Sequence, residues 1–278
     1  MIIIDGKKLQ KEILDRIKDK VSALVFVPIF CDVLVGDNPA SAQYVRMKAK
    51  MAEIVGIKFH NANFPASFTT EKLIQEIKLL NKIPNMSGII VQLPLPAHLD
   101  QRAILDAIDP HLDVDCLGTI ASEKFYSGKN IDGIGLPTAF ACMALLDSLN
   151  LELKNKKIVV IGQGALVGKP VAALLRSKGL EPMIVTSRTE NKGNIIKEAD
   201  IIISATGKGK LINDGMIKSG VVLIDAGTSE SNGGIVGDID LESIKDMAGF
   251  VSPVPGGVGP VTVAMLLQNV LNVAKRLK

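Results

Sequence analysis

The segment ASAQYVRMK sets Tyr44 four residues before Lys48. On a helix that spacing stacks a phenol and an ammonium on one face, with Ser41 one turn earlier, so the groups could converge on one ligand. The chemistry this suggests is acid–base work. A lysine ordinarily titrates near about 10.4, and burial or a neighbouring cation brings such a group into use at neutral pH. Most helical lysines are simply solvated, so spacing alone does not single out Lys48. Support comes from GIIVQLPLP, where Gln92 ends an apolar run that Pro94 and Pro96 stop from continuing as an ordinary central strand. PHLDVDCLG adds Asp113 and Asp115, two apart in a loop, able to chelate a cation or to present one carboxylate to a substrate. No third oxygen ligand follows at calcium-loop spacing, and His60, His98 and His111 form no paired motif, so no metal is expected.

A second constellation lies in KKIVVIGQGALVGKPVAALL, which reads as strand, turn and helix with Gly162, Gly164 and Gly168 in the turn and Pro170 early in the helix. Glycines there let the backbone turn sharply and approach a pyrophosphate at the positive helix end. The spacing GxGxxxG is one residue longer than the usual dinucleotide fingerprint, and a turn without ligand is the plainer alternative. A triphosphate loop fits poorly, because the gap is short and Pro170 stands where a magnesium-binding hydroxyl belongs. At the end of the next strand, Ser187, Arg188 and Thr189 offer hydroxyls and a guanidinium suited to a ribose 2′-phosphate, which favours NADP; Glu190 keeps NAD open.

These residues need elements to hold them. Short β-rich runs (MIII, VPIFCDVLVG, IKFHNANF, MSGIIVQLPLP) alternate with helical periodicity over residues 6–21, 39–56, 70–82 and 98–108, which predicts right-handed crossovers and a parallel sheet. After a segment rich in Asp and Gly (109–135), a second series begins with strands at 157–162, 182–187, 199–207 and 220–227. All are continuous apolar runs, as expected of parallel strands buried on both faces. The predicted class is α/β: a first domain over 1–137, completed by a final helix at 260–278, and a Rossmann-like NAD(P)-binding domain over 138–259.

The 278 residues and 47% hydrophobic content suffice for such cores without staples. A net charge of +3 from 32 basic and 29 acidic residues leaves no basic footprint for nucleic acid. Cys31, Cys116 and Cys142 are widely spaced and odd in number, which argues against a disulfide framework or zinc site and for a reducing compartment. With no signal-like or membrane-length apolar run, the expectation is a soluble cytoplasmic protein with no membrane partner.

Together, VGDNPASAQYVRMKAK, VQLPLP, LDVD, VGKP, VTSRT, IDAGT, VGDID and above all PVPGGVGPVT resemble the bifunctional methylenetetrahydrofolate dehydrogenase/methenyltetrahydrofolate cyclohydrolase family over nearly the whole chain. The resemblance implies NADP-dependent oxidation of methylenetetrahydrofolate, hydrolysis of the methenyl product to 10-formyltetrahydrofolate, a role in one-carbon metabolism and purine biosynthesis, and a homodimer. It implies catalytic roles for Lys48, Tyr44, Gln92 and Asp115. Folate would bind in a cleft between the domains, touched by Tyr44, Val45, Arg46, Met47 and Lys48, by Val91, Gln92 and Leu93, by Asp115, and by Pro255, Gly256, Gly257, Val258 and Gly259. NADP would rest on Gly162, Gln163, Gly164, Ser187, Arg188 and Thr228.

Two departures qualify the match. The family's GRS turn is GQG here, which weakens the NADP preference unless Arg188 compensates, and its DVDG is DVDC, which would reshape the Asp115 loop if that position needs positive φ. A shikimate-type dehydrogenase also pairs an α/β substrate domain with a nucleotide domain, but predicts no QLPLP string; a nucleotide-sensing regulator would not need Tyr44, Lys48, Gln92 and Asp115 together.

Overall fold

The structure, a computed structural model, describes residues 1–128, 133–231 and 234–277. The chain divides into two compact units: Glu12–Leu136 with Val263–Lys278, and Met1–Lys11 with Pro137–Thr262. It begins with strand β1 (Ile2–Ile3) and helix α1 (Gly6–Ser22), whose start Asp5 caps by accepting the N–H groups of Lys7 and Lys8, each at 3.0 Å. The division between the units falls inside α1.

In the unit around residues 12–136, β2 (Ile29–Val35), α2 (Pro39–Ile54), β3 (Lys58–Phe64), α3 (Thr70–Leu80), β4 (Met86–Val91), α4 (Gln101–Leu105) and α5 (Thr119–Tyr126) follow in order. The sheet order is β3-β2-β4, all parallel. β4 is buried throughout and β2 from Phe30 onward, so both are largely apolar, broken by Asp32 in β2 and Ser87 in β4, while the edge strand β3 is half-buried to exposed apart from Ala62. Asn38 and Pro39 start α2: the Asn38 side chain accepts the Ser41 N–H at 3.0 Å, and proline at the first position lacks only a donor that would be orphaned anyway. α5 was not foreseen, because its segment reads as an Asp- and Gly-rich connection.

The other unit contains α6 (Pro137–Asp147), β5 (Ile158–Ile161), α7 (Gly168–Ser177), β6 (Met183–Val185), α8 (Lys192–Lys197), β7 (Ile201–Ser204), β8 (Val222–Asp225), the antiparallel pair β9 (Ser229–Ser231) and β10 (Gly234–Val236), α9 (Leu241–Ile244), β11 (Phe250–Ser252) and the start of α10 (Val258–Ala274). Its parallel sheet has the order β1-β11-β8-β7-β5-β6. The chain leaves β5 toward β6 on one side and returns to β7 on the other, so the connections diverge at β5, where open parallel sheets bind ligands. MIII departs from expectation. Rather than opening the 12–136 series, Ile2 and Ile3 pair with Phe250 and Val251, so residues 1–11 belong with the six-stranded sheet and not with a 1–137 block.

The turn after β5 shows which glycines the backbone requires. Gly162 has φ +94°, and a Cβ on it would overlap the Ala205 carbonyl; a Cβ on Gly168 would overlap the carbonyl of Gly162. Gly164 has nothing within 4 Å of that position. Gly162→Ala should therefore lower stability by about 1–3 kcal/mol, whereas Gly164→Ala should change it by less than about 1 kcal/mol, as urea titration will show.

The end of α10 is tied into the other unit by Asn269, fully buried, whose side-chain amide donates to the carbonyls of Val114 at 2.8 Å and Gly135 at 2.7 Å. Gly88 on β4 makes room beside it, since a Cβ there would lie 2.8 Å from Val114 Cγ1 and 2.9 Å from Val270 Cγ2. Asn269→Ala leaves two carbonyls without these donors and should cost about 2–4 kcal/mol in the same titration.

Candidate active site

Along α2 the buried residues are Ser41, Val45, Lys48 and Ala52, a stripe at helical spacing that would ordinarily be apolar. Lys48 occupies a core position of that stripe. Its residue is 7% exposed, against 46% for Tyr44 one turn earlier, so the pair shares a side of the helix but not an environment. The Lys48 Nζ donates to Gln92 Oε1 at 2.7 Å, and the Gln92 Nε2 donates to the Leu93 carbonyl at 2.9 Å, which orients the amide oxygen toward the lysine. The peptide following Leu93 is cis.

The other partner of Lys48 was missed from the sequence. Asp32 Oδ2 lies 2.7 Å from Nζ, in the middle of β2, with no exposed surface. Apart from this ion pair, neither Asp32 oxygen has a hydrogen-bond partner among the described residues. Burial pushes its carboxyl above the usual range, and the Lys48 ammonium pulls it back down. The signal was present in FCDVLV, where one acid interrupts an otherwise apolar strand.

The loop after α4 divides its two aspartates. Asp113, buried, accepts the N–H of Cys116 at 2.8 Å and of Gly118 at 2.7 Å, so it builds the loop rather than serving a ligand. Asp115 is partly exposed; desolvation pushes its carboxyl up to about 7 despite Lys48, with Asp113 and Asp32 adding to the rise. Cys116 itself takes the left-handed φ of 60° that glycine would adopt without the roughly 1–2 kcal/mol cost to other residues. Its thiol is buried against the Ala121 carbonyl at 3.2 Å and pushed up to about 12, hence inert. Among the described residues no three His, Cys, Asp or Glu side chains are placed to hold a metal.

The remaining expected contacts separate by burial. Val45 and Val91 lie in the core, Arg46 is exposed, and Met47 and Leu93 are intermediate, so residues 44–48 do not present one face. In the other unit, the loop Pro255–Gly259 leads into α10: Pro255 and Gly259 are exposed, Gly257 and Val258 buried, and Gly256 has φ +106°. The Gly257 N–H reaches the Pro253 carbonyl at 2.8 Å, and a Cβ on Gly257 would lie 2.6 Å from that oxygen.

On the nucleotide side, Gln163 and Gly164 are exposed at the crest of the turn, with Gln163 Nε2 donating to the Gly162 carbonyl at 2.9 Å. Ser187 and Arg188 are exposed at the tip of a turn closed by the Thr186 N–H to Thr189 Oγ1 at 2.9 Å. Thr228 is exposed beyond β8.

Beneath these loops lie Asp225 and Asp238, the acids of the IDAGT and VGDID strings. Asp225 accepts the N–H groups of Gly227, Asp238 and Ile239 at 2.9–3.0 Å, and Asp238 accepts Ser204 Oγ at 2.6 Å and the N–H groups of Thr206 and Lys208 at 2.7 and 2.9 Å. A Cβ on Gly227 would overlap the Asp238 carboxylate, and one on Gly237 that of Asp225, so each glycine makes room for the other's acid. The two carboxylates pin the loops following β7 and β8. Desolvation pushes Asp225 up to about 7 against the pull of its three N–H donors.

Comparison with known proteins gives the family. Residues 137–278 match the family model for the tetrahydrofolate dehydrogenase/cyclohydrolase NAD(P)-binding domain, and residues 4–115 match the model for the catalytic domain. The bifunctional protein FolD of Halothermothrix orenii is 40% identical over 98% of both chains, and that of a Hydrogenobaculum species 42% identical over 99% of both. Among solved structures, the bifunctional FolD dehydrogenase/cyclohydrolase of Campylobacter jejuni superposes with a TM-score of 0.95 at 36% identity, covering 99% of each chain. The Trypanosoma brucei methylenetetrahydrofolate dehydrogenase-cyclohydrolase, complexed with NADP and an inhibitor, gives 0.93 at 35% identity over 99% of this chain and 98% of that one. With both family models matched and its two α/β units built as those structures are, the chain belongs to the tetrahydrofolate dehydrogenase/cyclohydrolase family.

Proposed function

We infer that Lys48 is the acid–base group of the cyclohydrolase step. The protein is a bifunctional enzyme of folate one-carbon metabolism, a dehydrogenase and a cyclohydrolase with an NAD(P)-binding domain. The observation that carries the assignment of roles is the burial of the Lys48 ammonium on the sheet-facing stripe of α2, held by Gln92 and Asp32. A lysine so placed has one amine, fixed in direction, to move a proton at the methenyl carbon while that carbon takes up water. Gln92 holds the side chain in one rotamer, exposed Tyr44 offers a flat wall to the folate ring, and Asp115 can accept hydrogen bonds from the pterin's N–H groups.

The cofactor turn suits a dinucleotide. Gly162 and Gly168 allow the turn and helix α7 to pack closely, while open space at Gly164 leaves the crest free for a pyrophosphate. When bound, the nicotinamide supplies the hydride acceptor of the first step. Exposed Ser187 and Arg188 would face the ribose 2′-phosphate, favouring NADP although the turn reads GQG. The homodimer, the cytoplasmic location and the supply of formyl groups to purine biosynthesis go with this reading on the strength of the family resemblance.

Lys48→Met should abolish hydrolysis of methenyltetrahydrofolate, followed as loss of its absorbance; full activity would refute the assignment. Arg188→Ala should raise the KM for NADP by about tenfold and leave that for NAD unchanged, in steady-state assays with each cofactor.

A further inference from the structure

We propose that Asp32 is the proton acceptor for Lys48, a buried positioning residue that takes the Nζ proton and thereby frees the amine for hydrolysis. The inference rests on the reading of Lys48 given above. Its warrant is a contrast among the buried acids. Asp225 and Asp238 each accept three hydrogen bonds and Asp113 accepts two backbone N–H groups, donors that hold a carboxylate in its charged form. Among the described residues Asp32 accepts none of these, and its charge is matched there only by the ammonium at 2.7 Å. In such a desolvated pair the ionic form and the neutral form, carboxylic acid beside amine, compete closely, because burial penalises two charges and not two neutral groups.

The surroundings leave Asp32 as the acceptor. Cys31, next to it on β2, is pushed up to about 12 by burial and by Asp32 itself, and stays a thiol. Asn61 is its neighbour across β3, and Gln92, after β4, already faces Lys48; neither is a base. From the loop, Asp113 is engaged by the backbone, and Asp115 interacts with Lys48 electrostatically.

The step balances. An N–H bond of the ammonium breaks, its electron pair stays on nitrogen, an O–H bond forms at Oδ2, and the pair keeps zero net charge. Water then attacks the cationic methenyl carbon, whose C=N π pair moves onto nitrogen, and passes a proton to the amine. Lys48 gives a proton to N5 as the C–N5 bond breaks and takes up the carbinol O–H proton as the formyl C=O forms, and the proton held by Asp32, the one that hydrolysis releases overall, leaves to solvent as the ion pair re-forms.

Asp32→Asn and Asp32→Val test this. Without the acceptor, Lys48 must release its proton to bulk solvent before acting, so the ratio of variant to wild-type cyclohydrolase kcat should fall by about tenfold per pH unit toward acid and recover as pH rises. A ratio independent of pH in either variant that folds would overturn the proposal, as would failure of both to fold, which would make Asp32 structural. The same acid-side loss in Asp115→Asn, absent from the Asp32 variants, would move the role to Asp115. Lys48→Met separates the layers: if it retains hydrolysis, the underlying reading falls; if it is inactive while the Asp32 ratio is flat, only this inference falls.

Discussion

Because the strands of both larger sheets pair in parallel, each must be joined to the next by a crossover, and within each sheet all the carboxyl ends fall on one edge. That constraint gathers the candidate site residues. Gln92 follows β4, the Gly162 turn follows β5, Ser187 and Arg188 follow β6, the loop pinned by Asp238 follows β7, and Asp225 and Thr228 end and follow β8. Residues dispersed through the chain are brought to sheet edges by topology rather than by local sequence. The glycines then set how closely the edge loops can approach one another: Gly162, Gly168, Gly227 and Gly237 each stand where a Cβ would overlap a backbone carbonyl or a carboxylate.

The second organising theme is how buried charge is held. Where an acid shapes a loop, as Asp113, Asp225 and Asp238 do, it is surrounded by N–H and O–H donors aimed at its oxygens. These offset much of its desolvation and lock the backbone around it. Asp32 lacks such donors among the described residues. Asp32 and Lys48 are matched mainly to each other, and such a pair is weak evidence for stability but well suited to moving a proton. The same economy explains Cys116: its left-handed backbone is accepted because its N–H completes the Asp113 cage and its side chain fills buried space.

How much of this was legible depends on the range over which each feature is encoded. Apolar runs separated by helical periodicity disclosed the parallel α/β layout, since β4, β5, β7 and β8 are buried on both faces and so are mostly apolar, with Ser87, Ser204 and Asp225 the polar exceptions. The elements missed include short ones with little local signal: α5 in an Asp- and Gly-rich segment, the three-residue strands β9, β10 and β11, and β1, whose two residues do not say which sheet they join. At the site, Lys48, Tyr44 and Gln92 could be named from spacing and context. Asp32 could not, because its place beside the lysine depends on a helix residue that follows it by the rest of β2, a loop and ten residues of α2, and meets it only once α2 packs on β2.

Local sequence by itself therefore determined the kinds of element, the glycine turn with its strand and helix, and the family, because periodicity, turn chemistry and motif strings act over a few residues. Only the tertiary structure decided that Lys48 is a core residue rather than one of many solvated lysines, that Asp113 builds a loop while Asp115 remains available, and that Asp32 stands behind the lysine. Burial is the physical reason: the cost of a charge is set by which partners and how much water surround it, and the chain acquires those surroundings only on folding.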